Sequence, residues 1–316
     1  IIDSDIRGEQ PGSRSPRRRV ASQREESVLI QQLVNGIMLG GFYALLAVGF
    51  SLLFSVLRII NFAHGSVFMV GAYVTTILID LAGVPFIPAA LAGMLAAGIL
   101  DIVVERVAVA PLRRWNLPRW YGMITTFAGA LIIENLAYRV FGTNYRVFPS
   151  PLEVRTYTML GARVTNLQLV TLAAAVVLMI GLVTLVKLTW LGRAFRAVAQ
   201  DADTASLMGV NADLIVPIAF LVSGGLAGAA GTLVGMYRNL VAVNMGLGVG
   251  LKGFVSSVLG GVGSITGAAL GGFILGMAEG LTAAYIGSNV KGIVSFVVLI
   301  LVLVWRPTGL LGKETI

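Results

Sequence analysis

The sequence contains no cysteine, which excludes a disulfide framework, a thiol nucleophile and a thiolate metal site. It has a single histidine, His64, so a histidine-based metal cluster is excluded as well. Charge is scarce: Asp, Glu, Lys and Arg together make up 12% of the 316 residues, about half the share expected of a soluble globular protein. No Gly-x-x-x-x-Gly-Lys-[Ser/Thr] loop occurs. The nearest stretch, at Gly312-Lys313, lacks the first glycine and continues with Glu314, so ATP finds no phosphate cradle of that kind in this chain. One histidine, no cysteine and scattered carboxylates offer no catalytic constellation, which argues against an intramembrane enzyme.

What is present is apolar. Hydrophobic residues make up 57% of the chain, with a mean hydropathy of +0.88, and they fall in repeated stretches long enough to cross a bilayer, about 20 residues each. The spacing predicts spans at 28–57, 59–83, 86–104, 121–141, 167–188, 214–237, 265–286 and 290–305, with a short glycine-rich piece at 248–261. The fold class expected is an all-α polytopic membrane bundle of eight to nine helices. The net charge of +8 does not point to nucleic acid, because the basic residues lie in short connections between apolar runs, where cytoplasmic loops collect Lys and Arg. Two such connections, 105–119 and 187–211, are expected on the cytoplasmic side. Residues 142–166, with Pro149, Pro151 and alternating Val, Tyr and Thr, fall on the outer side, with the composition of a small hairpin.

Residues 1–27 differ from the rest. Arg7, Arg14, Arg17, Arg18, Arg19 and Arg24 alternate with Asp3, Asp5, Glu9, Glu25 and Glu26. So polar a stretch buries too little surface to order itself, and a flexible tail preceding a single transmembrane domain over 28–313 is expected. No signal-peptide pattern precedes the first span. The side of the membrane on which the tail lies is left open by the charge pattern.

Two segments interrupt the apolar runs. One is Asn61-Phe62-Ala63-His64-Gly65-Ser66; the other, 244–263, carries seven glycines around Lys252. Broken segments in corresponding places of two halves mark a transport pathway, since irregular backbone at membrane depth survives only against protein or a water-filled cavity. Asn61, His64, Ser66 and Lys252 are therefore candidate pathway residues. So are Glu134 with its neighbour Asn135, and Glu279, because a charge within a span is costly and is expected to face the bundle interior. Glycines spaced by four, Gly224 and Gly228, then Gly272, Gly276 and Gly280, predict helix faces on which backbones approach closely.

The segment from Leu191 to Asn211, with Arg193, Arg196, Gln200, Asp201, Asp203 and Gly209, reads as a short cytoplasmic helix capped near Gly209 or Asn211 and free to dock in a partner's groove. The order and wording of these stretches resemble the permease subunits of the high-affinity branched-chain amino acid ABC importer family over about residues 28–313. The matching stretches are Gln31 to Gly36, Ile60 to Gly65, Gly192 to Gly209, Ser257 to Ile265 and Arg306 to Gly312.

The resemblance implies a bacterial inner-membrane protein that pairs with a second, homologous permease and two cytoplasmic ATPase subunits. These would bind the ATP, this chain holding no cofactor, and an external binding protein would deliver the solute. It further implies that 200–209 is the coupling helix, although Gln200-Asp201-Ala202 stands where the wider importer pattern has Glu-Ala-Ala. The solute is left open, with urea, short amides and aromatic acids as alternatives to branched-chain amino acids. An ion-coupled secondary transporter using Glu134, Glu279 or His64 as carriers is the rival mechanism.

Overall fold

A computed structural model describes residues 16–115, 117–159 and 162–312. Twelve α-helices follow one another among these residues: α1 (Pro16–Leu57), α2 (His64–Ala82), α3 (Phe86–Val104), α4 (Ala110–Arg114), α5 (Trp120–Phe141), α6 (Asn166–Leu188), α7 (Trp190–Gln200), α8 (Ala202–Leu207), α9 (Ala212–Arg238), α10 (Met245–Gly260), α11 (Ile265–Tyr285) and α12 (Lys291–Trp305). Seven of the helical stretches are long and apolar enough to cross a membrane. The helices α10 and α12, with 16 and 15 residues, reach only about 24 and 22 Å, short of a hydrocarbon core of about 30 Å. The expected eight to nine crossings thus resolve into seven full-length spans and two short apolar helices.

The expected boundaries shift in two places, after α3 and at 244–263. The first span is the expected Val28–Leu57, and its helix continues back to Pro16, proline fitting the first turn of a helix. The rest of the expected tail, residues 1–15, lies outside the described residues. The connection expected at 105–119 is helical to Arg114, because α3 passes through one π-helical turn, Glu105–Val109, into α4. The segment 244–263, expected to be broken, holds the continuous helix α10; irregular backbone is confined to its two ends. Three of its glycines face neighbours, Gly246 and Gly250 meeting Gly65, and Gly253 meeting Leu46, so tertiary packing overrides the low helix propensity of glycine.

The bundle is built around two glycine seams. Along the first, α1 crosses α11: a β-carbon on Gly36 would lie 2.9 Å from the Cα of Met277, one on Gly40 2.8 Å from that of Phe273, and Gly272, Gly276 and Gly280 sit against Ala44, Gly40 and Gly36. Along the second, α9 runs against α2 and α3. Gly224 lies on Asp101, Gly228 on Ala97 and Gly71, and Gly231 on the carbonyl of Phe68. The seams let backbones approach where lipid supplies no hydrophobic drive between helices. Large core side chains, among them Phe42, Leu45, Leu46, Phe68, Tyr73 and Phe220, fill the space between.

At one end of the bundle, β2 (Thr156–Met159) and β3 (Ala162–Thr165) form the antiparallel hairpin, and β1 (Arg146–Val147) pairs with β4 (Leu240–Val241), a contact across the chain that local patterning does not predict. Gln31 ties the N-terminal part of the α1 span to this hairpin: its Oε1 accepts from the Arg163 amide at 2.7 Å. The opposite end carries α4, α7 and α8.

Candidate functional site

The chain turns back between α1 and α2 through Arg58, whose φ of 54° is a conformation L-residues rarely adopt. Two buried groups hold the returning strand. The Nδ2 of Asn61 donates to Oδ1 of Asp101 at 2.8 Å, and Oδ1 of Asn61 accepts from the amide of Ala63 at 3.0 Å, shaping the last turn before α2. His64 begins α2 with Nδ1 3.8 Å from Oδ2 of Asp101 and its ring edge-on to Phe50, centroids 4.6 Å apart. Ser66 donates to the carbonyl of Ala130 at 3.2 Å. All four side chains are buried, so Asn61, His64 and Ser66 do not line an open passage in this conformation; they fix the break against α3 and α5. Asp101 is the residue that composition reading missed, although the rule that singled out Glu134 and Glu279, an acid inside an apolar run, applies equally to it.

A second polar cluster joins four helices. Glu279 on α11 is 1% exposed and lies 2.7 Å through Oε1 from Nζ of Lys252 on α10. Tyr43 on α1 donates to its Oε2 at 2.8 Å, and Ser295 on α12 donates to its Oε1. Lys252 also donates to the hydroxyl of Tyr43 at 3.2 Å. Glu279 therefore faces the interior with all of its charge matched, while Lys252 keeps a quarter of its side chain accessible. The free face of α10 continues from it through Asn244, Gly248 and Leu251, all exposed, with open space at Gly248. Tyr43 and Ser295, 236 and 16 residues from Glu279 in sequence, carry no local signal that could have flagged them.

Glu134 and Asn135 belong to neither cluster. Helix α5 packs mainly against α2 and the π-helical turn, which buries only the stripe Gly122, Thr126, Ala130 and Ala137. Glu134 is half-buried and Asn135 exposed, correcting the expectation that Glu134 points into the bundle. Asn135 donates to the Leu131 carbonyl of its own helix at 2.7 Å, and with Arg139 it borders a shallow cavity of about 270 Å³ on the outer face.

The stretch expected as one short helix is two, α7 and α8, meeting at Asp201. The Asp201 carboxylate accepts from the amides of Asp203 and Thr204 at 2.9 and 3.0 Å, capping α8, and these hydrogen bonds hold its pKa below the usual carboxylate value. Gly209, at φ 87°, ends the turn after α8 in the left-handed region, and Asn211 caps α9 through the amide of Asp213. In α7, Gly192 packs on the backbone of Val186. Arg196 donates to the carbonyl of Val186 at 2.6 Å, and Arg193 and Gln200 face solvent. What the charge pattern did not reveal is the apolar tip: Leu207 is 87% and Met208 82% exposed, on a turn outside every candidate span.

Residues 32–303 match the family described as branched-chain amino acid transport system / permease component. The chain is 35% identical over 300 residues to the high-affinity branched-chain amino acid transport system permease protein LivH of Escherichia coli K12, covering 91% of this chain and 96% of that one. It is 34% identical over 300 residues to the LivH protein of Salmonella typhimurium, at the same coverage. Against the permease protein BraD of Pseudomonas aeruginosa it is 35% identical over 299 residues, covering 91% and 97%.

Proposed function

The chain belongs to the branched-chain amino acid transport permease family, and from that membership we propose that it is the permease through which branched-chain or related amino acids cross the bacterial inner membrane, driven by ATP that partner subunits hydrolyse. It is a multi-pass membrane permease subunit and not an enzyme. The observation that carries the coupling half of this reading is the α8 turn. Two large apolar side chains, Leu207 and Met208, stand almost fully exposed beyond the spans, at the tip of a helix too short to be stable alone. Such a tip is stabilised by burial in a partner's groove, and the partner that an importer requires on that side is an ATPase. Two ATPases, a second permease and an external binding protein complete the assembly, the last meeting the hairpin end.

In this reading the break at 58–63 and the short helix α10 flank the pathway. Alternating access then amounts to a change in how α2 and α10 sit against the rest of the bundle when the α7–α8 segment moves. Lys252 is the pathway residue of choice, because its side chain is the charged one of the two clusters that is partly accessible from the free face of α10. Asn61, His64 and Ser66 act from behind it by setting the break.

Proteoliposomes holding this chain with its second permease and ATPases, supplied with the loaded binding protein, test the proposal. Uptake of a branched-chain amino acid is expected to require ATP inside and to persist with an uncoupler. Uptake abolished by the uncoupler while ATP remains would replace this mechanism with the ion-coupled one.

A further inference from the structure

A cavity of about 570 Å³ opens at the α8 end of the bundle, between the end of α1, the α4–α5 connection and the start of α8. Four arginines line it: Arg58, Arg113, Arg114 and Arg119. Arg113 is committed, lying 3.5 Å from Glu105 and 3.2 Å from Asp213. Arg58, Arg114 and Arg119 form no ion pair among the described residues. Of the lining acids, Asp213 is held by Arg113, and Asp201 is turned to the amides that it caps. Asp203, exposed on the first turn of α8, is the remaining one. Among the described residues the lining thus carries four guanidinium groups against three carboxylates, and three of the four, Arg58, Arg114 and Arg119, have their forks free for a phosphate.

Its depth is marked independently. Trp115, Trp120 and Tyr121 are exposed on the same connection, and Trp190 at the start of α7 is exposed as well; such aromatic side chains gather at the level of lipid headgroups. Guanidinium groups at that level meet phosphate oxygens, for which their planar fork is suited, and basic pockets between helices on the cytoplasmic side select anionic headgroups.

We propose that this cavity is a binding site for the headgroup phosphate of an anionic phospholipid of the inner leaflet. The bound lipid would connect Arg58, at the turn that precedes the break, with the segment 198–203 that leads into α8. It would set the spacing between the coupling element and the pathway. The assignment to the inner leaflet rests on the functional reading above; the phosphate chemistry does not.

The test uses the complete transporter, with wild-type chain, with Arg114→Gln/Arg119→Gln, and with Arg114→Lys/Arg119→Lys as the charge-keeping control. Native mass spectrometry reads retention of phosphatidylglycerol after delipidation, and ATP hydrolysis is compared in vesicles of zwitterionic lipid alone or doped with phosphatidylglycerol. The wild type is expected to retain phosphatidylglycerol and to be stimulated by it. The glutamine variant should bind it about tenfold more weakly or worse and lose the stimulation, with basal hydrolysis and ATPase co-purification unchanged, and the lysine variant should keep most of both. Equal retention in the glutamine variant and the wild type would overturn the proposal, as would displacement of the lipid by inorganic phosphate or free amino acid at low concentration. A wild-type complex that retains the lipid but imports no amino acid would refute the functional reading and leave the site standing.

Discussion

The buried carboxylates separate into two kinds by what they touch. Glu279 is matched by an ammonium and two hydroxyls, so removing it leaves Lys252 only partly accessible and without its counter-charge. Breaking a buried pair by deleting one partner costs about 3–5 kcal/mol, and Glu279→Ala is expected to lower the unfolding temperature in detergent accordingly. The double replacement Lys252→Met/Glu279→Leu should recover most of that loss, because no charge then remains unpaired. If the double variant were as unstable as the single one, the cluster would be stabilising through packing and not through its charges. Asp101 is different: its Oδ1 is used by Asn61, while its Oδ2 and the Nε2 of His64 have no hydrogen-bond partner among the described residues. Asp101→Ala strands the amide of Asn61 at a cost of about 1–3 kcal/mol, whereas Asp101→Asn keeps an acceptor in place and is expected to stay near wild type in the same melt. Residue identity made Glu279 and Lys252 readable in advance because charges stand out in an apolar run. Their partners Tyr43 and Ser295 were not readable, since a hydroxyl in a span is unremarkable until folding brings it to a carboxylate.

Among the elements, the glycine seams give the sharpest contrast. Gly276 lies on the backbone of Gly40 and Gly36, while Gly181 on α6 has nothing within 4 Å of where a β-carbon would stand. Gly276→Leu should therefore force α1 and α11 apart and cost at least about 1–3 kcal/mol, and Gly181→Leu should stay within about 0.5 kcal/mol of wild type. Comparable losses in both would show that helix propensity, not the seam, is being measured. The short helix α8 has its own lever in Asp201. Its pKa is lowered in the folded state, so the cap's contribution is present above the unfolded value and disappears as pH falls through the folded one. Protection of the α8 amides, measured against their intrinsic exchange rate at each pH, is expected to fall in that acidic window for the wild type and to be low at every pH for Asp201→Ala, but to stay constant in Asp201→Asn, which caps without titrating. Spacing by four made both glycine seams legible. Glycine content misled at α10, because a glycine that packs against another backbone reads the same in sequence as one that breaks a helix. The cost of a charge within a span misled at Glu134, because nothing along α5 announces that few helices cover it.

For the molecule as a whole, the number and order of the apolar runs were enough to give a polytopic bundle, while the uncertain count traces to α10 and α12, whose lengths fall between a span and a buried helix. The whole assembly also decides what the exposed tip of α8 is for. Replacing Leu207 and Met208 together by Ser removes apolar surface that is almost fully exposed in this chain, so its stability should hold while co-purification of the ATPase and ATP-driven uptake both fall steeply. Unchanged co-purification would place the docking contact elsewhere, and charge reversal at Asp203 would then be the next variant to compare.

Where α2 meets α10, Gly65 lies on Gly246 and Gly250 backbone to backbone, with only the β-carbon of Met69 beside Gly246. A surface without protruding groups has no teeth: one rod can glide along the other by a fraction of a turn without any rotamer having to unlock, so this is where a small displacement meets the least friction. A methyl group on Gly65 would stand against the carbonyl of Gly246, so it would wedge the two rods apart, acting as a brake on turnover and weakening the fold together.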